Sequence, residues 1–88
     1  MAILIDEPTW PFRGEKWAHL VSDESYEELH AFAESIGISR STFQGDHYDI
    51  PKPMWLTAVN AGAIPTDSRV LLRKLKEAGL RKRNKKTK

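Results

Sequence analysis

Short strand-like apolar runs alternate along this chain with stretches of helical spacing, and this order is the feature that most constrains the fold. The runs at residues 2–5, 17–21 and 48–50 are apolar or alternating and predict strands, and residues 63–65 fit a last short strand. Strands that alternate with helices predict a small single α/β domain with a short, mostly parallel sheet covered by about three helices. The alternative is a helix-dominated domain with one hairpin.

The first helix has the clearest boundaries in the sequence. Ser25 and Glu28 have the spacing of a capping box, in which the serine accepts a hydrogen bond from the amide three residues on and the glutamate reaches back. The apolar stripe that follows predicts a helix over residues 25–36, ended by Gly37. Residues 7–14, which hold two prolines and a glycine, predict a loop before it.

Two more helices are expected in the second half of the chain. One begins at Pro51 or Pro53, because proline loses no hydrogen bond in a first turn, and it ends at Gly62. The other begins with a cap at residues 66–68 and ends at Gly79.

Size and composition limit the class of protein. Eighty-eight residues suit one domain, taken as residues 1–80, and a composition of 40% hydrophobic and 30% charged residues suits a folded soluble chain. The absence of cysteine excludes disulfides and thiolate chemistry. No apolar run approaches the roughly 20 residues that span a bilayer, so we expect a cytoplasmic protein without a membrane contact. A core this small contributes only about 3–5 kcal/mol, so a homodimer or a larger protein partner is compatible with it.

The charge is unevenly divided along the chain. Residues 1–66 carry four basic and ten acidic side chains, a net charge of −6, whereas residues 67–88 carry ten basic and two acidic ones, a net charge of +8. The basic part begins on the last helix and continues into residues 81–88, which we expect to be a flexible tail. This part predicts contact with nucleic acid without sequence preference, and a purely solubilising tail is the alternative. The candidate contact residues are Arg69, Arg73, Lys76, Arg81, Lys82 and Arg83.

Histidines and acids next to predicted strand ends form the candidate site. His19, His30 and His47 each have an acid close by in sequence, and acids that follow parallel strands meet at one edge of a sheet. Carboxylates and imidazoles together suit a divalent metal such as Mg²⁺, Mn²⁺ or Zn²⁺, while His47 without a metal fits a general base. The candidate catalytic residues are His19, Asp23, His47 and Asp49, and the candidate metal ligands are Asp6, His19 and His47.

Structural roles for the same residues stay open. His30 lies beside the apolar stripe of the first helix, where a half-buried structural histidine is common, with support of the site as its other role. Asp49 has the alternative role of capping the helix that follows. The three tryptophans fit core and loop anchors, with base stacking as the lesser alternative.

Several of these motifs, in this order, resemble a known family. The motifs are Met1-Ala2-Ile3-Leu4-Ile5-Asp6, Trp10-Pro11, Trp17-Ala18-His19-Leu20-Val21-Ser22-Asp23, Glu27-Glu28-Leu29-His30-Ala31-Phe32-Ala33 and Asp46-His47-Tyr48-Asp49-Ile50-Pro51. Over roughly residues 1–80 the chain resembles domain of unknown function 4031, a family of bacterial and phage genomes. The resemblance implies a compact stand-alone domain and brings no activity, substrate or cofactor. The lysine-rich end at residues 82–88 is not part of it.

The sequence therefore predicts two candidate functions. The first is a hydrolase-like site, dependent on a metal or on histidine and aspartate, that acts on a phosphate-containing or nucleic-acid ligand. The alternative is a non-catalytic accessory module that binds nucleic acid or a protein partner through its basic C-terminal helix and tail.

Overall fold

A computed structural model describes residues 2–81 of the chain. The expected flexible tail, with Lys82 and Arg83, therefore lies outside the described residues, apart from Arg81. The described part forms one mixed sheet with three α-helices and a 3₁₀ turn at Arg40–Thr42. The elements are β1 (Ile3–Ile5), β2 (Trp10–Phe12), β3 (Glu15–Ser22), α1 (Tyr26–Ser35), β4 (Tyr48–Pro51), α2 (Lys52–Asn60), β5 (Ile64–Pro65) and α3 (Ser68–Glu77). No helix of residues 2–81 has the length and apolar character needed to cross a membrane.

The sheet is mostly antiparallel, so the expectation of a mostly parallel sheet is wrong. The central strand β3 pairs antiparallel with β1, β2 and β4, and only the pair of β1 with β5 is parallel. One reason lies in the connection between β2 and β3, where Phe12 pairs with Glu15 and only two residues make the turn. Arg13 and Gly14 both have positive φ, at 51° and 75°, as the tight turns of antiparallel hairpins require.

Strand β2 lies inside the segment that the sequence predicted to be a loop. Its prolines suggested a break in regular structure, but β2 is at the end of the strand order, where a proline without an amide proton is tolerated. Pro11 pairs with Lys16, and Trp10 pairs with Trp17 across the hairpin. The aromatic side chains of β2 thereby reach the same face of the sheet as Trp17.

Helix α1 confirms the predicted boundaries to within one residue. Ser25 caps it, with its hydroxyl accepting from the amide of Glu28, and Gly37 follows its end with φ of 86°. The prediction that Glu28 reaches back to bond the start of the helix was wrong. Glu28 Oε1 accepts from the hydroxyl of Ser22 at 2.5 Å, while the amide of Ser25 donates to that same Ser22 hydroxyl at 3.1 Å. The glutamate thus connects α1 to the end of β3.

Helices α2 and α3 begin where the sequence predicted. Pro51 is the N-cap of α2, and this helix start has no side-chain capping bond, so Asp49 does not have the capping role. Asp67 caps α3 by accepting from the amide of Arg69 at 3.0 Å.

The helices cover both faces of the sheet, and the alternation of side chains along β3 separates the two cores. Ala18 and Leu20 point to the face covered by α1 and α2, where Leu29 and Ala58 belong to the same buried cluster. Val21 points to the opposite face, which α3 covers in a smaller cluster. The members of the smaller cluster are Leu4, Val21, Leu71 and Leu75. Because α3 reaches only part of this second face, the positions beside Val21 are left for polar side chains.

Candidate functional site

Two histidines and an aspartate meet on the face of the sheet that α3 covers only in part. His19 on β3 is the direct cross-strand partner of Asp49 on β4. His47 comes two residues before Asp49, and its ring centroid is 5.2 Å from that of His19. One potential ligand atom from each of these three residues lies within 4.8 Å of the others. The antiparallel pairing of β3 and β4, and not a parallel sheet edge, therefore brings the predicted histidines and acid together.

Asp6 lies behind His19 and fixes its ring. Asp6 Oδ2 is 2.8 Å from His19 Nδ1, and Asp6 Oδ1 accepts from the backbone amide of His19 at 2.6 Å. The hydroxyl of Ser68, the first residue of α3, donates to the same Asp6 Oδ2 at 2.9 Å. With Nδ1 donating to this buried carboxylate, Nε2 of His19 is the atom left to bind a ligand. Asp6 thus orients the ring of His19, whereas the sequence predicted that Asp6 itself binds a metal.

Asp46 holds His47 in the same manner. Its Oδ1 is 2.7 Å from His47 Nδ1, and its side chain is 6% exposed. Nε2 of His47 lies 3.1 Å from Asp49 Oδ1. Each of the two histidines therefore has its own buried carboxylate on Nδ1, the arrangement that orients imidazole ligands in metal sites.

The surroundings of Asp6 and of His47 favour the charged form of each side chain. Burial works to raise the pKa of Asp6, but the hydrogen bonds from the His19 ring and amide outweigh it, so the pKa lies below its usual value. Burial works to lower the pKa of His47, but the carboxylates of Asp49 and Asp46 outweigh it and raise the pKa. A concentration of negative charge surrounds the two rings, and this charge also attracts a cation.

Asp49 has an ionic contact with His47 but no aligned hydrogen bond at its Oδ1 among the described residues. Its Oδ1 is buried and makes no aligned hydrogen bond with any of residues 2–81, although His47 Nε2 lies 3.1 Å away. A buried carboxylate oxygen without such a bond is costly, and a bound cation satisfies it. Two imidazoles and one carboxylate are the ligand set of many zinc and iron centres.

Two predicted residues are not brought to this cluster. Asp23 is at the end of β3, where its Oδ1 accepts from the amide of Ala2 at 2.7 Å and its own amide donates to Ala2. His30 is on α1, on the opposite side of the sheet, and its Nδ1 lies 2.7 Å from the hydroxyl of buried Tyr48. The structure favours the structural role for His30.

Sequence reasoning did not assign three residues to the site. Asp46 had a signal, since it directly precedes His47. Ser68 had none, because it reaches Asp6 across 62 positions of sequence. Trp10 lies in the segment predicted to be a loop, yet its ring stacks on His19 with centroids 5.9 Å apart.

Two hollows adjoin the cluster. The larger one, with a volume of about 690 Å³, is here called the aromatic groove and shares Asp49 with the cluster. Its lining consists of Trp10, Phe12, Trp17, Gly37, Ile38, Ser39, Thr42, Gln44, Asp49, Pro51 and Met54. The smaller one, of about 240 Å³, is here called the α3 pocket. Its lining consists of Asp6, His19, Val21, Asp46, His47, Ser68, Leu71, Leu72, Leu75 and Arg81.

The predicted basic residues divide into two groups. Arg69, Arg73 and Lys76 are exposed on α3, opposite the leucines that face the sheet. Arg81 instead turns toward the cluster, with Nη1 3.7 Å from Asp46 Oδ2.

Comparison with known proteins identifies a family for the chain but no individual relative. No curated protein and no solved structure matches the chain. The model of a family described as "Protein of unknown function (DUF4031)" matches residues 3–78, which is most of the chain and includes all residues of the cluster. The chain belongs to the DUF4031 family.

Proposed function

We propose that this protein is a small metal-dependent hydrolase that acts on a phosphate ester. His19, His47 and Asp49 hold one divalent transition metal ion. The observation that supports this proposal most strongly is the pair of histidines whose Nδ1 atoms are each bound to a buried aspartate. In addition, one potential ligand atom from each of His19, His47 and Asp49 lies within 4.8 Å of the others, a convergence that the two histidine–aspartate hydrogen bonds do not by themselves require.

The choice of ion follows from the ligand chemistry. Two imidazoles with one carboxylate suit Zn²⁺, Mn²⁺ or Fe²⁺, whereas Mg²⁺ prefers oxygen ligands and retained water. Three protein ligands leave positions open for water and substrate, as catalytic metal sites require. The His19 side chain is 38% exposed, so the cluster is accessible from solvent.

The reaction class follows from what such an ion supplies. A bound divalent ion acidifies water and neutralises the charge on a phosphoryl group. In the proposed hydrolysis a water oxygen bonds to phosphorus, the ester P–O bond breaks, and a proton from the water ends on the leaving alcohol. The buried aspartates contribute by holding the imidazoles in place throughout.

The test is hydrolysis of a panel of phosphate monoesters after chelation and after addition of Zn²⁺ or Mn²⁺. Asp49→Asn removes the anionic ligand with almost no change of shape. We expect it to lower the metal-dependent rate by about 100-fold or more, since loss of even an outer carboxylate partner costs about 10–100-fold. Asp67→Asn is the matched control, because asparagine caps a helix as well as aspartate does.

Hydrolysis that survives both chelation and Asp49→Asn would contradict the proposal. Circular dichroism of each variant, compared with wild type, separates a chemical effect from a loss of fold.

A second function is supported by the surface of α3. This helix exposes Arg69, Arg73, Lys74 and Lys76 on the side that faces away from the sheet. The helix carries these four cations and one acidic side chain, Glu77, so its surface attracts a polyanion. Contact with nucleic acid through this surface, without catalysis, is the alternative proposal.

A further inference from the structure

The order of side chains along β3 connects the two hollows through the cluster. Trp17, His19 and Val21 follow one another on one face of the strand, about 7 Å apart at each step. Trp17 lines the aromatic groove, His19 belongs to the cluster, and Val21 lines the α3 pocket. A ligand that extends along this line meets an aromatic surface, then the cluster, then a small pocket lined by both charged and apolar side chains.

The aromatic groove has the size and lining of a site for a planar heteroaromatic group. Its volume of about 690 Å³ falls within the range of about 300–1,000 Å³ for small-molecule sites. The rings of Trp10 and Trp17 stack at 6.2 Å between centroids, and Phe12 beside them is 50% exposed. Pro51 and Met54 add apolar contact from β4 and α2.

Polar atoms in the groove suit the edge of a base. The exposed side chains of Thr42 and Gln44 lie on its rim, and an amide and a hydroxyl can both donate and accept hydrogen bonds. Nε1 of Trp10 is buried and has no hydrogen-bond partner within the described part of the chain. The groove therefore combines stacking faces with polar side chains in its lining.

The α3 pocket has the size to receive a terminal phosphate, and one guanidinium lines it. Its volume of about 240 Å³ is small, and leucines of α3 close it on one side. Arg81 supplies a guanidinium, which binds phosphate oxygens in a bidentate geometry.

We propose that the substrate of the cluster is a mononucleotide, with its base in the aromatic groove and its terminal phosphate between the metal ion and Arg81. This inference rests on the proposed metal site, since the acids of the cluster repel a phosphate when no metal is bound. In the reaction the ribose–phosphate P–O bond breaks and the water oxygen joins phosphorus. The ribose oxygen takes a proton from the water, so the products are a nucleoside and inorganic phosphate.

Ligand binding to the full chain, measured by calorimetry and by quenching of tryptophan fluorescence, tests this inference. The probes are adenosine 5′-monophosphate and ribose 5-phosphate, which differ only in the base, each with Zn²⁺ present. Base–aromatic stacking contributes about 1–3 kcal/mol, so we expect the nucleotide to bind about 10–100-fold more tightly. Phe12→Ala reduces the ratio of the nucleotide affinity to the ribose 5-phosphate affinity. Leu56→Ala, which removes an exposed apolar side chain outside the groove, leaves this ratio unchanged.

The outcomes separate this inference from the proposed function. Equal affinities for the two probes in a protein that binds Zn²⁺ overturn the mononucleotide inference and leave the metal site intact. Ribose 5-phosphate that binds no better with Zn²⁺ than without it overturns the proposed function.

Discussion

His19 and Asp49 are direct partners across the antiparallel pair of β3 and β4. Their side chains therefore share one face of the sheet at a separation fixed by the backbone, and His47 joins them from the residues just before β4. A site built on paired strands is held more precisely than one built on loops. This pairing underlies the proposed metal site.

The carboxylate behind each histidine is expected to contribute to metal affinity without binding the metal. Asp46→Asn keeps the shape of the side chain but replaces an anionic acceptor on His47 Nδ1 with a neutral amide. We expect the affinity for Zn²⁺ to fall by about 10–100-fold, with one site per chain retained. Calorimetric titration measures both quantities, and an affinity equal to that of wild type would show that Asp46 does not support the ligand set.

Both tyrosines are expected to resist ionisation in the folded protein. Burial raises the pKa of Tyr48, and burial together with the negative charge of Asp46 raises the pKa of Tyr26. The neutral form is thus favoured by folding. The associated stability is fully present below the unfolded value near pH 10 and is lost as the pH rises through the folded values.

Ultraviolet absorbance of the phenolate measures this directly. In the folded protein the phenolate signal should appear only above the pH at which it appears in guanidinium. Coincident titration curves for the folded and unfolded chains would contradict the burial of these hydroxyl groups.

The packing of α3 is expected to limit the stability of the whole domain. Leu75 is 2% exposed and belongs to the small cluster between α3 and the sheet. Leu75→Ala should cost about 2–5 kcal/mol of the free energy of unfolding, which is a large part of what a domain of this size possesses. Urea denaturation of Leu75→Ala and of the control Leu56→Ala tests this prediction. Leu56 is 61% exposed, so its replacement should change the free energy of unfolding by less than about 0.5 kcal/mol. Equal stabilities of the two variants would mean that α3 is not packed as described.

The alternative function predicts a salt-dependent affinity for DNA or RNA that depends on α3. Replacing Arg69, Arg73 and Lys76 together with glutamine should weaken binding and reduce the salt slope by roughly one unit for each phosphate that the protein no longer neutralises. Lys52→Gln, an exposed cation on α2, is the control. Absence of binding by the wild-type protein at low salt would exclude this function.

The helices and the histidine–acid cluster were accessible from the sequence, and the sheet topology was not. Caps and glycines are local signals, so Ser25 and Gly37 defined α1 without knowledge of its partners. Strand direction depends on which strands pair, and this is a non-local property. The two-residue turn at Arg13 and Gly14 carried the one local hint of antiparallel order, but Pro11 obscured the strand before it.

The surroundings of the site were harder to predict than its central residues. His19, His47 and Asp49 stand in short motifs whose residue types suggest chemistry by themselves. Ser68 reaches the site only because α3 packs across the sheet, so nothing near it in sequence indicates its contact with Asp6. Asp23 was grouped with the site because it follows a strand, but antiparallel pairing places the end of β3 beside the start of β1.

Metal titration of the protein after chelation is the most direct test of the proposed ligand set. We predict that wild type binds one Zn²⁺ per chain, that His19→Ala and His47→Ala each abolish this binding, and that His30→Ala, with its histidine on the opposite face, retains it. No binding by folded wild type, or binding unaffected by His19→Ala and His47→Ala, would contradict the proposed metal site.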